Sequence, residues 1–348
     1  MSYDMRRVLF FIFAIAALAL TSCNNKVDLY SNDGDTTIVY AMLDSNADTN
    51  FIKITHSFVG NVYDLGHNYA ASNYEYDEIE ATLTGVFEGS NATQTVTLDT
   101  ISKWKPYDEN STFYSGCWQR YYYTTKTLLE GKEYELNILR KTDNVTISSK
   151  TTTINTFAFQ KPVLMPITFT DVTTSTANVE WKVGEAPYKS TAAYFEVVGY
   201  FKYKELLPGA ADTVHRSIRW ELGSGKADDL YNTSSNLPYY LITYTPSALF
   251  TLLENNEYLK NNSPAGVQRW FEKFEFQISA IGEDLYNYYL VANSTSAIQD
   301  VPNFSNIDNG MGIMSARITK TRALELSVKT KNDIHNRFEN YGFPYTYQ

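Results

Sequence analysis

The stretch "LLEGKEYEL", Leu128 to Leu136, decides how the rest of the chain is read. Leu128, Gly131, Tyr134 and Leu136 have the spacing of a tyrosine corner, in which a phenol hydroxyl ties the start of a strand back to the loop before it. The plainer alternative is an ordinary strand with a core tyrosine. Either way this is a β-strand, and the longer run "KEYELNILRKTDNVTISSKTTTI" reads as a hairpin turning at Thr142-Asp143-Asn144.

Working outward from it, the hydrophobic period stays at two. "TTIVYAMLD" and "NFIKITHSF" are strand-like and joined by the turn-forming "SNADT", and "EYDEIEATLTGVF" and "QTVTLDTI" flank a turn at Gly89 to Asn91. Residues 34–160 are therefore expected to form a β-sandwich of the immunoglobulin kind, the fold in which tyrosine corners occur. "QKPVLMPITF" carries Pro162 and Pro166, which end one ladder before another begins, so the expected boundary is near residue 161. Beyond it Ala177, Val179 and Trp181 share one face, and "AAYFEVVGYFKYK" continues the alternation. These strands resemble the opening of a fibronectin type III module, with its buried strand tryptophan. "VHRSIRWEL" and "FEKFEFQISAIG" add two long strands.

The expected fold is mainly β: two tandem immunoglobulin/fibronectin III-like β-sandwich domains, with short helical inserts in the second, which spans 161–329. Thr245-Pro246 reads as a helix start, and Leu249, Phe250, Leu252 and Leu253 form the apolar face of a helix running to about Leu259. In "GEDLYNYYLVANS", Leu285, Tyr288, Tyr289 and Ala292 lie on one side, a stripe expected to pack into the core rather than line a ligand site. Residues 330–348 are expected to be a poorly ordered polar tail.

The start of the chain gives an address. Arg6 and Arg7, the apolar run Val8 to Leu20 and the small residues before Cys23 make residues 1–22 a signal peptide, too short for a membrane-spanning helix. Leu20-Thr21-Ser22-Cys23 resembles the lipobox of bacterial lipoproteins. That resemblance implies lipidation at Cys23, a tether over residues 23–33 and the membrane as partner through the lipid. Only Cys117 then remains, without a disulfide partner, and it reads as a small buried hydrophobe.

Composition excludes some functions. A net charge of −10 offers no basic stripe for nucleic acid. The 28 Tyr and 19 Phe suit half-buried strands and also surfaces that contact sugars or proteins. His56, His67, His215 and His335 are scattered without metal-ligand spacing, so no metal or cofactor is expected. "GSGKA" lacks the upstream glycine and the hydroxyl residue of a phosphate loop. Glu75, Asp77, Glu78 and Glu80 fit a solvated strand face better than a catalytic carboxylate pair. No enzyme is expected.

"IVYAMLD" with "NFIKITHSFVG", "KEYELNI", and "FQISAIGEDLYNYYLVANS" leading to "PNFSNIDNGMGIMSAR" resemble an uncharacterised family of Bacteroidota outer-membrane lipoproteins. The most specific part runs from Ser305 to Ile313, where Asn306, Asn309, Gly310 and Gly312 are expected to make a tight turn before the chain re-enters a strand. The resemblance implies an outer-membrane location, with the leaflet undecided, and a possible TonB-dependent receptor as partner. It also makes Thr36, Thr100 and Thr213 candidates for O-glycosylation within Asp-Thr-Thr, Asp-Thr-Ile and Asp-Thr-Val. Two functions are carried forward: a noncatalytic accessory or ligand-capture lipoprotein, and a structural or adhesive surface protein whose edge strands pair with neighbours.

Overall fold

The computed structural model describes residues 36–57, 75–106, 116–184, 188–234, 237–292 and 304–347. The expected leader (1–22), Cys23, the expected tether (23–33) and His67 lie outside them.

The protein is mainly β. In the first unit, β1 (Thr37–Leu43), β2 (Asn50–His56), β6 (Cys117–Thr124) and β5 (Asp99–Lys105) form one layer. The other layer holds β4 (Gln94–Thr97), β3 (Ile79–Gly85), β7 (Glu133–Arg140) and β8 (Val145–Thr152), in that order. Alternate residues of both layers, among them Val39, Ile52, Leu83, Leu136 and Ile147, close on one core. The second unit repeats the plan. β9 (Phe157–Lys161), β10 (Ala177–Val183), β14 (Tyr239–Tyr244) and β13 (Tyr231–Asn232) oppose β12 (Val214–Lys226), β11 (Tyr194–Leu206), β16 (Phe274–Ile281) and β17 (Gly310–Leu324). Lettered in chain order, each unit sets A-B-E-D against C′-C-F-G, the immunoglobulin arrangement. A short added strand, β15 (Gln268–Phe271), pairs with the far end of β11.

The tyrosine corner is present at the start of β7, the F strand. The Leu129 N–H donates to Tyr134 Oη at 2.7 Å, and the hydroxyl donates to the Val86 carbonyl. Gly131 turns the chain at φ +63°. A Cβ at Gly85 would lie 2.3 Å from the tyrosine ring, so that position admits only glycine while Tyr134 keeps its place. In the second unit Trp181 is fully buried, stacked on Tyr240 with centroids 5.8 Å apart.

The boundary falls earlier than residue 161. β9 pairs with β10, and Phe157 and Phe159 lie in the second core, so the units part between Thr152 and Phe157. Pro162 and Pro166 belong to the β9–β10 connection: prolines mark the end of a ladder without saying which sheet owns it. Nor does the second unit keep to itself. The first half of β17 pairs parallel with β1, Thr37 opposite Gly310 through Leu43 opposite Ala316, while its second half pairs with β16. One nine-stranded sheet, β12-β11-β16-β17-β1-β2-β6-β5 with β15, therefore runs through both units.

The Ser305–Ile313 stretch is the clamp at that junction. Asn309 has φ +56° and Gly312 φ +114°. Asp308 and Ser148 exchange backbone hydrogen bonds at 2.8 and 3.2 Å, which ties the stretch to β8. Asn306 grips Met314 at both ends, donating from Nδ2 to its carbonyl at 2.7 Å and accepting from its N–H at 2.9 Å. Ile307 and Met314 thereby enter the first core, although both lie in the part of the chain read as the second domain.

The tail is ordered. Helix α5 follows α1 (Ala227–Leu230), α2 (Ala248–Asn255), α3 (Glu257–Asn261) and α4 (Glu283–Ala292), and spans Val328–Arg337 with Ser327 capping the Thr330 N–H. Ile334, Phe338 and Phe343 are buried in the second core. A buried ion pair holds the tail down: Arg269 donates to Glu205 at 2.6 and 2.8 Å and to the Tyr341 carbonyl at 2.5 Å. Scattered Ile and Phe among polar residues are too sparse to advertise this docking. The insert expected from Thr245 to Leu259 begins at Ala248 and is broken at Asn256, whose extended backbone and side-chain oxygen cap α3.

Candidate functional site

Side chains alternate across a strand, so the nine-stranded sheet has one face packed on the two cores and one face outward. Among the described helices of ten residues, α4 is the one that crosses the outer face at the junction. Its first turn is held by β17: the Gly282 N–H donates to the Ala316 carbonyl at 2.9 Å, and the Leu285 N–H to Ser315 Oγ at 3.2 Å. Asp284 accepts a hydrogen bond from Asn306; burial and the neighbouring Glu283 nonetheless push its carboxyl up from the ordinary aspartate value. Leu285 packs on Ile281 and Ile313, with Met42, Tyr194 and Tyr286 beside them, a small third cluster directly over the junction of the two units.

The stripe expected to sink into the core does so only at Leu285. Tyr288 is half-buried, and Tyr289 and Leu290 are 46% and 51% exposed. The reason is the layer in which the helix sits: it lies on the outside of a sandwich, with no further layer above it among the described residues, so one turn's apolar residue is covered and the next is not.

Between α4 and the sheet lies a cleft of about 550 Å³. Its floor follows cross-strand register: Arg317 is opposite Ile281, and Ile281 opposite Tyr194. The next row brings Ser279, Glu196 and Ser224. Tyr286, Tyr289 and Leu290 of α4 form the wall. Tyr194 is fixed in place, stacked on Tyr286 at 5.0 Å and 16° and hydrogen bonded to Ser224 Oγ at 2.7 Å. Glu196 is paired with Arg219. The Arg317 guanidinium is exposed and makes no side-chain hydrogen bond or ion pair with another described residue.

A second depression lies farther along the same face. It is wider, about 1090 Å³, and more open, with Trp270, Lys204 and Lys273 on its lining. Lys202 is paired with Glu275 at 2.9 Å and Arg216 with Glu205 at 3.0 Å, and His215 Nδ1 lies 3.0 Å from Glu272. At the other end of the sheet β5 is an edge strand, and Trp104 and Trp118, 53% and 58% exposed, meet edge to face beside it.

The residues singled out from the sequence are not gathered in one place. Thr213 lines the wide groove, Thr100 is exposed on β5, and Thr36 is half-buried where its N–H bonds Ser57. Asn306, Asn309, Gly310 and Gly312 brace the junction beneath α4 rather than line the cleft. Among the described residues no group of His, Cys, Asp or Glu is placed to hold a metal. His335 bonds the Phe343 carbonyl, and Glu75 is taken up by Lys53 and the Arg120 N–H. Cys117 is free and buried. No helix of the described residues is long and apolar enough to cross a membrane. Sequence reasoning misses Tyr194 and Arg317 because both occupy outward strand positions, where tyrosine and arginine are ordinary; only the helix lying above them marks the place.

No family model matches the chain. No curated protein matches it either. Among solved structures it is similar to the C-terminal globular domain of an oligosaccharyltransferase from Pyrococcus abyssi, with 11% identity and a TM-score of 0.21. The alignment covers 84% of this chain and 50% of that one, so the chain spans half the length of its structural neighbour. A likeness this low says nothing about function.

Proposed function

We propose that the protein is a noncatalytic lipoprotein of the bacterial outer membrane, anchored through Cys23, that captures a small ligand or assists a partner on the outer face of its long sheet. The observation that supports this is the cleft under α4: tyrosine walls, a polar floor and a free arginine, over a junction braced on both sides. Its volume falls within the usual range for small-molecule sites, roughly 300–1,000 Å³. Aromatic faces with hydroxyl and carboxylate acceptors between them suit a sugar or a ring-bearing nutrient. A role beside a TonB-dependent transporter rests on the resemblance in sequence alone.

The test is capture of the native protein from outer membranes in mild detergent, with mass spectrometry of what accompanies it, together with a glycan array probed with the mature chain. A stoichiometric receptor, or array signals grouped by sugar class, supports the reading; recovery of the protein alone with a blank array overturns it. The second reading, an adhesive or coat subunit, is favoured by one observation: among the described residues β5 is the last strand of its sheet, beside the exposed Trp104 and Trp118. Self-associated ladders in the same capture would select it.

A further inference from the structure

The geometry points to an acidic sugar, a uronic acid or a glycan ending in one, as the ligand of the cleft under α4, with Arg317 holding its carboxylate. This rests on the ligand-capture reading and names the ligand class for it.

Three features of the cleft converge. The first is charge. The chain carries a net charge of −10, yet the one cation on this floor, Arg317, has no carboxylate partner among the described residues, whereas Glu196, the floor's acid, is paired with Arg219, which also holds Glu221. An anion entering the cleft thus meets an uncompensated guanidinium, whose planar fork matches a carboxylate with two parallel hydrogen bonds. The second is shape. Arg317 and Tyr194 stand two strands apart in one register row with Ile281 between them, a span of about 10 Å. That gives a flat floor for one or two rings between a charged end and an aromatic end. The third is the polar inventory. Ser279, Ser224 and Glu196 are acceptors and donors in the row alongside, placed for ring hydroxyls, while Tyr289 leaves a ring face exposed for the apolar face of a sugar. Ser224 is bonded to Tyr194, and Ser279 to Gln277 and Thr319, so each hydroxyl keeps spare accepting capacity that a purely aromatic acid would not use, and a neutral sugar would leave the arginine without a partner.

The rigid surroundings strengthen the case. Tyr194 is held by both Tyr286 and Ser224, and α4 is pinned to β17 at its first turn, so the cleft is formed before any ligand arrives and little ordering entropy is lost on binding.

The experiment is a titration of the detergent-solubilised full chain with methyl glycosides of glucuronic, galacturonic and mannuronic acid, each beside its neutral parent sugar, followed by ligand-observed NMR. At least one uronide is expected to bind about tenfold or more tightly than its parent, as one charge-assisted pair provides. Arg317→Ala should abolish that preference and Arg317→Lys restore part of it, while Tyr289→Ala should weaken acid and parent alike. Arg317 is exposed, so its replacement leaves the fold intact, and a far-ultraviolet spectrum checks this. Equal binding of uronides and parents, or an unchanged preference in Arg317→Ala, overturns the assignment while ligand capture stands. If no sugar binds, the acidic-sugar assignment falls, and the proposed function falls with it only when the glycan array is blank and the protein is recovered without a receptor.

Discussion

Replacing Gly312 by alanine should unfasten the two sandwiches from each other. Gly312 sits at φ +114°, and a Cβ there would lie 2.0 Å from the Val39 carbonyl oxygen and 2.9 Å from its carbon. Holding an alanine at positive φ costs about 1–2 kcal/mol. The obstruction is backbone, which cannot rotate aside, so β17 must draw away from β1. That sacrifices roughly two ladder hydrogen bonds at about 1 kcal/mol each. Met314, fully buried two residues along, loses part of a burial worth about 2 kcal/mol. Together these come to about 5 kcal/mol, comparable with the whole stability of a small domain. The internal control is Gly89, also at positive φ (+82°) but with nothing within 4 Å of its would-be Cβ. Gly89→Ala should cost only the conformational part, about 1 kcal/mol. Urea unfolding of both variants, followed by far-ultraviolet dichroism and by tryptophan fluorescence, makes the comparison. Gly312→Ala should unfold far earlier, with the two probes no longer coinciding because the first unit melts ahead of the second. Equal shifts in the two variants would refute the claim that the junction depends on close backbone approach.

Buried polar groups elsewhere in the two units fix four further outcomes. Tyr134→Phe keeps the ring but strands the Leu129 N–H and the Val86 carbonyl, and should lower stability by about 1–3 kcal/mol in the same urea assay. Arg269→Ala should cost about 3–5 kcal/mol and expose the C-terminal segment to proteolysis, because it leaves Glu205 buried beside only Arg216 and Tyr258. Burial pushes the Glu205 carboxyl up, but hydrogen bonds from Tyr258, Arg269 and Arg216 outweigh it and hold the carboxyl below the usual glutamate value. Its contribution is therefore present above the unfolded value of about 4.3 and lost as pH falls through the folded one, so an acid titration of wild type should release the tail below that point. At the alkaline end, burial pushes the Tyr203 and Tyr240 hydroxyls up to about 12. Their stabilisation is complete below 10 and fades between 10 and 12, and ultraviolet titration should show these phenols ionising only with unfolding.

Some of this architecture is local and so legible in the sequence. Period-two alternation marks strands wherever one face is buried, and the glycine-to-tyrosine spacing at 131–134 specifies a corner that one chain segment builds largely by itself. Trp181 reads as inward for the same reason. The Asn-Gly run before β17 shows as a place where the backbone must take unusual angles, and Asn309 and Gly312 take them. What no local pattern contains is which strands, far apart in the chain, lie side by side. The pairing of β1 with β17, some 270 residues on, makes a clamp of the turn motif, carries Ile307 and Met314 into the first core and makes two sheets one. It is a long-range parallel pairing, and alternation in either strand is equally compatible with other partners. The cleft depends on the same event. Only when α4 is laid over the junction do Tyr194, Tyr286 and Arg317 come together, because register, not sequence proximity, sets outward side chains of neighbouring strands in a row.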